Sequence, residues 1–194
     1  MTRITFIKSD PEHKRLLVGV DNGMEKALAL EVRESTYESH GSPERFSFIS
    51  DEALCDFVFD DELLRARRRA VRILSLSDKT LHELRLRLRE EGFSREAASA
   101  ALEFCVERGY VDERRQLERL VEQEANRKLR GRYYIKQKLA AKGFARDMID
   151  SVIDTLVEQG EIDFSLNFEK FKEKKGVTDP EKIRALKYRY GYEN

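Results

Sequence analysis

What the sequence lacks narrows the field before any motif is considered. No apolar run approaches the ~18 residues that a membrane-spanning helix needs. The opening Met1-Thr2-Arg3-Ile4 has no apolar stretch of the secretory kind, so a cytoplasmic protein is expected. Cysteine occurs only at Cys55 and Cys105. Both lie in apolar runs, Ala53-Leu54-Cys55 and Phe104-Cys105-Val106, and are expected to be buried free thiols in a reducing compartment. His13, His40 and His82 are too scattered for a metal site. No Gly-rich phosphate loop, nucleophile elbow or carboxylate dyad is apparent. These absences point to a non-enzymatic protein without cofactor or metal.

There is also no net charge, because 37 basic side chains balance 37 acidic ones. The balance hides an asymmetry. Residues 1–64 carry 7 basic and 14 acidic side chains, whereas residues 65–110 carry 11 and 7, residues 111–160 carry 11 and 9, and residues 161–194 carry 8 and 7. An acidic head on a mildly basic body argues against a simple DNA coat and for recognition of a protein that carries, or lies beside, nucleic acid. The charged fraction, 38%, favours an elongated shape whose helices each keep one solvated face.

The periodicity divides the chain. Leu16, Val18 and Val20 alternate, Asp21-Asn22-Gly23 supplies residues suited to a tight hairpin turn, and Leu28, Leu30 and Val32 alternate again. Ile4-Thr5-Phe6-Ile7 adds a third strand to a small antiparallel meander, and residues 36–45, with Gly41-Ser42-Pro43, read as a loop. From Ser50 the period becomes helical, first in a short segment through Leu54, then from Leu63 to Leu76. Thr80-Leu81-His82-Glu83 is a capping box. The helix it opens carries Leu81, Leu84 and Leu88 and stops at Gly92. Ser94 caps another, with Ala98, Ala101, Leu102, Cys105 and Val106 at helical spacing, ending at Gly109.

This arrangement recurs 51 residues later, with Gly92 matching Gly143 and Gly109 matching Gly160. Leu84 then corresponds to Ile135, Leu88 to Leu139, Phe93 to Phe144, Leu102 to Ile153, Val106 to Val157, and Val111-Asp112 to Ile162-Asp163. A third, imperfect copy follows Asp179-Pro180-Glu181, with Ile183 and Gly191-Tyr192 in the places of Ile135 and Gly143-Phe144, and is expected to lack its last helix. The expected fold is therefore mainly α. Tandem three-helix repeats stack into an elongated curved rod behind a small N-terminal β meander. The expected divisions are a β-rich extension at 1–49, a linker helix with repeat one at 50–110, repeat two at 111–160 and a truncated repeat three at 161–194.

The segments Ala70-Val71-Arg72-Ile73-Leu74-Ser75, Glu83-Leu84-Arg85-Leu86-Arg87-Leu88 with Gly92-Phe93-Ser94, and Glu107-Arg108-Gly109-Tyr110-Val111-Asp112 resemble the first repeat of RecX proteins. Gly131-Arg132-Tyr133-Tyr134-Ile135, Lys142-Gly143-Phe144 and Gly160 extend the resemblance through the second repeat, so that it spans about residues 61–190. The resemblance implies a regulator that binds RecA recombinase and its filament on single-stranded DNA. Lying in the filament groove, it would restrain ATP hydrolysis, strand exchange and filament growth. It further implies a role in DNA recombination and repair. A monomer with no membrane partner is expected, and direct contact with single-stranded DNA stays open. Two alternatives stand beside this reading: a DNA-binding helical module that needs no RecA, and a helical adaptor for an unrelated partner.

Two charge features nominate contact residues. Between Glu124 and Asp147 there is no acid, while Arg127, Lys128, Arg130, Arg132, Lys136, Lys138, Lys142 and Arg146 fall in that window. Arg132 and Lys136, four apart, are expected opposite the Ile135/Leu139 face as a ridge for phosphates or an acidic protein surface, with Tyr133 beside them. The competing reading is a merely solvated face. Arg65, Arg67, Arg68, Arg69 and Arg72 form a second acid-free cluster, between Glu62 and Asp78. Of these, Arg65, Arg68, Arg69 and Arg72 are candidate contacts, although Arg65 is also placed to pair with Asp61 or Glu62 on its own helix. Tyr188-Arg189-Tyr190-Gly191-Tyr192 has the composition of a base-stacking platform, but Tyr192 falls at the core position of Phe93 and Phe144.

Overall fold

The computed structural model describes residues 1–23 and 27–192. The chain is mostly helical with a small N-terminal sheet, and it forms two compact units, one of residues 1–77 with 85–107 and the other of residues 78–84 with 108 onward.

In the first unit, strands β1 (Thr2–Asp10), β2 (Arg15–Asp21), β3 (Leu28–Arg33) and β4 (Phe48–Ile49) form a sheet in the order β3-β2-β1-β4, with every pairing antiparallel. The expected meander is present. Three local expectations change. The link from β2 to β3 runs from Asp21 to Leu28, longer than a two-residue turn. Part of the expected loop is helix α1 (Glu34–Ser39), whose Tyr37 is buried and donates its hydroxyl proton to the Pro43 carbonyl. The two helical segments expected after Ser50 are one helix, α2 (Asp51–Leu76), because Ser50 accepts from the Ala53 amide and nothing in the next 26 residues breaks the run.

The alternating strand residues Ile4, Val18, Val20, Leu30 and Val32 share one buried cluster with Ala53 and Phe57 of α2. Strand β3 lies at the sheet edge, so its outward amides need acceptors. Helix α2 supplies them. Asp61 accepts from the Glu31 amide at 3.1 Å, and the buried Asp60 accepts from the Arg33 amide at 3.0 Å and from its guanidinium. Further along, Ala66 and Ala70 keep α2 slim where it packs on helix α4 (Arg95–Glu107), which answers with Ala97, Ala98 and Ala101. Cys105 is buried as expected, but Cys55 is exposed, since it shares the turn of α2 whose inward positions are Ala53 and Phe57.

Helix α3 (Leu81–Glu90) contains the division between the units. Its capping box is formed as read, with Thr80 Oγ1 accepting from the Glu83 amide at 3.1 Å and a Glu83 carboxylate oxygen accepting from the Thr80 amide at 3.2 Å. The second unit continues through α5 (Glu113–Glu122), a π-helical turn at Gln123–Arg127, α6 (Arg132–Ala141), α7 (Arg146–Glu158), α8 (Phe164–Lys175) and α9 (Pro180–Arg189). Leu117 and Val121 of α5, Ile135 and Leu139 of α6, Phe144, and Ile149, Val152, Ile153 and Leu156 of α7 make one core.

The repeat holds at most matched positions, although Phe93 and Ile183 are half-buried where Phe144 and Ile135 are buried. Leu84 and Ile135 are both fully buried, as are Leu88 and Leu139 within 1%. The pairs Leu102/Ile153 and Val111/Ile162 are also buried. Gly92, Gly143 and Gly191 all adopt φ between 76° and 93°, the left-handed conformation that ends a helix and that a side chain would strain. Val106 and Val157 correspond but are both exposed, so their likeness is not one of core packing. Replacing Ile135 by Asp puts a carboxylate where no water reaches. A loss of roughly 3 kcal/mol or more is expected, seen as a fall in thermal midpoint. An unchanged midpoint would contradict the placement.

Candidate interaction surface

The acid-free window runs from Ala125, inside the π-helical turn, through the link Lys128-Leu129-Arg130-Gly131 and all of α6, and the fold sets acids against it. Glu124 is 3% exposed, and its carboxylate accepts from Lys128 Nζ at 2.6 Å and from Lys138 Nζ at 2.9 Å. Burial works against ionisation of Glu124, but the hydrogen bonds and charges of the two lysines outweigh it and hold the carboxyl below its usual range. The Glu124 carbonyl also accepts from the Arg130 amide, which shapes the link into α6.

Arg132 and Lys136 flank the apolar seam of α6 and do not oppose it. At about 100° per residue their stripe lies some 60° from that of Ile135 and Leu139. The side chains are consequently half-buried and meet helix α7: Arg132 pairs with Asp154 at 2.7 Å, and Lys136 with Asp150 at 2.7 Å. Lys142 lies 3.5 Å from Glu83. The Arg130 guanidinium stacks between the Tyr134 and Tyr190 rings, 4.6 Å from each centroid. Tyr134 therefore turns partly inward while Tyr133 is 44% exposed. Arg127 and Arg146 are exposed and form no ion pair among the described residues.

Tyr133, Lys136, Gln137, Ala140, Arg146, Ile149 and Asp150 line a cavity of about 450 Å³ between α6 and α7. It has an aromatic wall, an apolar floor and both signs of charge. Gln137, Asp150 and Asp154 belong to this face yet escaped sequence reasoning. The one available signal was the spacing of Asp150 and Asp154, four apart on α7.

In the first unit, the α2 arginines are likewise answered. Arg65 pairs with Asp61 at 2.8 Å, which is the alternative the sequence offered, and Arg68 with Glu31 of β3 at 2.5 Å. Arg69 forms a forked pair with Glu91 at 2.5 and 2.6 Å, and its hydrogen bonds hold the Glu91 carboxyl below its usual range. Arg67 stacks on Phe104, 4.9 Å from the ring centroid. Arg72 is exposed, without an ion pair among the described residues.

Of the ten nominated residues, Arg127, Lys128, Arg130, Arg132, Tyr133 and Lys136 come together in one unit, and Arg65, Arg68, Arg69 and Arg72 along one helix of the other. At the end of the chain Tyr188 is 72% exposed, Tyr190 packs on Phe171 with centroids 4.4 Å apart, and Tyr192 packs on Phe168 at 4.9 Å. Burial pushes the Tyr192 hydroxyl up to about 12.

These features define a helical tandem-repeat protein with a small N-terminal sheet and charged, partly aromatic faces. Residues 66–105 match the family described as RecX, first three-helix domain. The regulatory protein RecX of Clostridium perfringens strain 13 is 28% identical over 147 residues, covering 74% of this chain and 68% of that one. The regulatory protein RecX of Clostridium beijerinckii is 25% identical over 195 residues, covering 98% and 86%. That of Vibrio vulnificus is 27% identical over 139 residues, covering 68% and 88%. A crystal structure of regulatory protein RecX superposes with a TM-score of 0.65 at 18% identity, over 99% of this chain and 92% of that one. RecX from Lactobacillus salivarius gives 0.55 at 16% identity, over 67% and 86%. Over most of its length the chain is similar to regulatory proteins RecX, and residues 66–105 match the first three-helix domain of that family.

The Glu124 pairing has a measurable pH signature. A carboxyl depressed by folding stabilises the native state above its unfolded pKa, and that stability is lost as pH falls through the folded value. Glu124→Gln is expected to cost about 1–2 kcal/mol at pH 7, a value held down by the exposure of the two lysines. The difference from wild type should shrink as pH drops below the ordinary glutamate range. Urea unfolding of both proteins across pH 3–7 checks this, and a pH-independent difference would contradict it.

Proposed function

We propose that this chain is a non-enzymatic regulator of RecA. It binds RecA and its filament on single-stranded DNA, and restrains ATP hydrolysis, strand exchange and filament growth from within the filament groove. The likeness to proteins named regulatory protein RecX, over nearly the whole chain in one case, carries this reading. The contact surface is the face built around Arg127, Lys128, Arg130, Arg132, Tyr133 and Lys136, with Arg65, Arg68, Arg69 and Arg72 as a second patch. The ion pairs on these faces do not argue against contact. Half-exposed pairs such as Arg132–Asp154 contribute only about 0–1 kcal/mol, so the cation can exchange its carboxylate for a phosphate or an acid of the partner. Arg127, Arg146 and Arg72 need make no exchange among the described residues.

A second reading, direct binding of DNA without RecA, draws on the cavity between α6 and α7. Its Tyr133 ring suits stacking of a base, and Lys136 and Arg146 suit phosphates. It requires affinity that falls steeply with salt as counterions are released.

The test is RecA ATP hydrolysis on single-stranded DNA with this protein substoichiometric to RecA. Inhibition is expected, and no effect on rate or filament length would overturn the proposal. Arg127→Glu combined with Arg132→Gln and Lys136→Gln should raise the half-inhibiting concentration roughly tenfold, equivalent to about 1.4 kcal/mol, while far-UV circular dichroism stays native. Unchanged inhibition would move the contact away from α6. Inhibition without RecA contact, with binding that follows salt, would favour the second reading.

A further inference from the structure

The N-terminal sheet has one covered face and one open face. Ile4, Val18, Leu30 and Ile49 point into the buried cluster that holds Tyr37 of α1 and Phe57 of α2. Alternation along the strands sends their neighbours to the other side, where the register sets Phe6 opposite Gly19, Lys8 opposite Leu17 and Arg3 opposite Phe48. Three phenyl rings stand there in contact with water: Phe6, Phe46 and Phe48 are 37%, 56% and 62% exposed. A Cβ at Gly19 would come within 2.4 Å of two Phe6 ring carbons, so that ring lies over bare glycine backbone. Phe46 has a φ of 70°, a left-handed conformation that is strained for a bulky residue. Its amide donates to the Ile4 carbonyl at 2.9 Å, and the Ile4 amide donates to the Ser47 carbonyl at 3.0 Å, which pins the strained residue to β1. An exposed ring on strained backbone adds little to folding, so its placement points to a ligand.

Cations are interleaved with the rings. The Arg45 guanidinium lies 4.4 Å from the Phe46 ring centroid and that of Arg3 lies 5.8 Å from it, while Arg45 Nε donates to the Thr5 carbonyl at 2.9 Å. Arg3, Lys8 and Arg45 are exposed and form no ion pair among the described residues. The acidity of residues 1–64 lies mostly elsewhere, with six carboxylates on α2 and two on α1, the helices of the covered face. Within the strands, Arg15 holds Asp10 and Glu31, and Asp21 accepts from the Gly23 amide, while Glu12 and Glu44 are exposed in loops. An apolar protein surface would desolvate the three cations without repaying them. A single strand answers rings with bases and cations with phosphates.

We infer that the open face of the N-terminal sheet binds single-stranded nucleic acid. Bases stack on Phe6, on Phe48 and on the Arg45–Phe46 pair, and phosphates meet Arg3, Lys8 and Arg45. The site belongs to the first unit, whereas the α6–α7 cavity belongs to the second, and it needs no RecA.

The full-length chain without RecA is titrated against a fluorescein-labelled single strand of about 20 thymidines, and binding is read by anisotropy. Half-saturation below about 100 μM is expected at low salt. The logarithm of affinity should fall against the logarithm of salt with a slope of about −2, from about −0.7 for each of three neutralised phosphates. An abasic strand of the same length keeps the phosphates and should bind at least about fivefold more weakly, as should Phe48→Ala with the thymidine strand. Phe46→Gly should also weaken binding while keeping the native thermal midpoint, because glycine accepts the left-handed backbone. No binding at about 100 μM, equal binding of the abasic strand, or affinity unchanged by Phe48→Ala would each overturn the inference. Affinity lost with Tyr133→Ala and kept with Phe48→Ala would place the strand in the α6–α7 cavity and overturn it too.

Discussion

Burial of Ile135 and Leu139, one helical turn apart on α6, is the constraint on which the second unit depends. With both side chains removed from water, the rotation of α6 about its axis is fixed. Every other residue of that helix then has an assigned direction. Arg132 and Lys136 fall beside the seam, Tyr133 faces outward, and Tyr134 turns toward Arg130. The charged face is therefore a consequence of apolar packing.

The same logic explains how a run of cations coexists with zero net charge. Each acid-free stretch of sequence lies against an element that carries acids: Asp150 and Asp154 of α7 against α6, Glu124 beneath Lys128 and Lys138, and Glu31 and Glu91 against α2. The exposed pairs contribute little to stability but hold long side chains in place until a competitor arrives. Glu124 differs because it is buried and doubly bonded, tying the π-helical turn to α6. The proposed regulatory role draws on this division between a fixed buried pair and exchangeable surface pairs.

Glycine does comparable work at the far end of the unit. The amide of Gly131 donates to the Tyr190 carbonyl at 2.8 Å, and the Tyr133 amide donates to the Gly191 carbonyl at 2.9 Å, so backbone hydrogen bonds join the third copy to the second beside the stacking of Arg130 on Tyr190. A Cβ at either glycine would collide with the facing chain. Tyr190 and Tyr192 then cover Phe171 and Phe168, closing the small third core with aromatic rings in place of a helix.

Helix starts, helix stops and the repeat itself were determined by sequence alone, because caps and left-handed glycines act within a few residues and because apolar periodicity survives in one dimension. Thr80, Ser94, Gly92 and Gly143 act where they were read, and Leu84 and Ile135 share the environment their register demands. Tertiary structure alone decided what faces those helices. Ion partners such as Asp154 for Arg132, the exposure of Cys55 and the sheet-edge role of Asp60 and Asp61 depend on contacts between segments distant along the chain, and charge counted along a sequence carries no record of them.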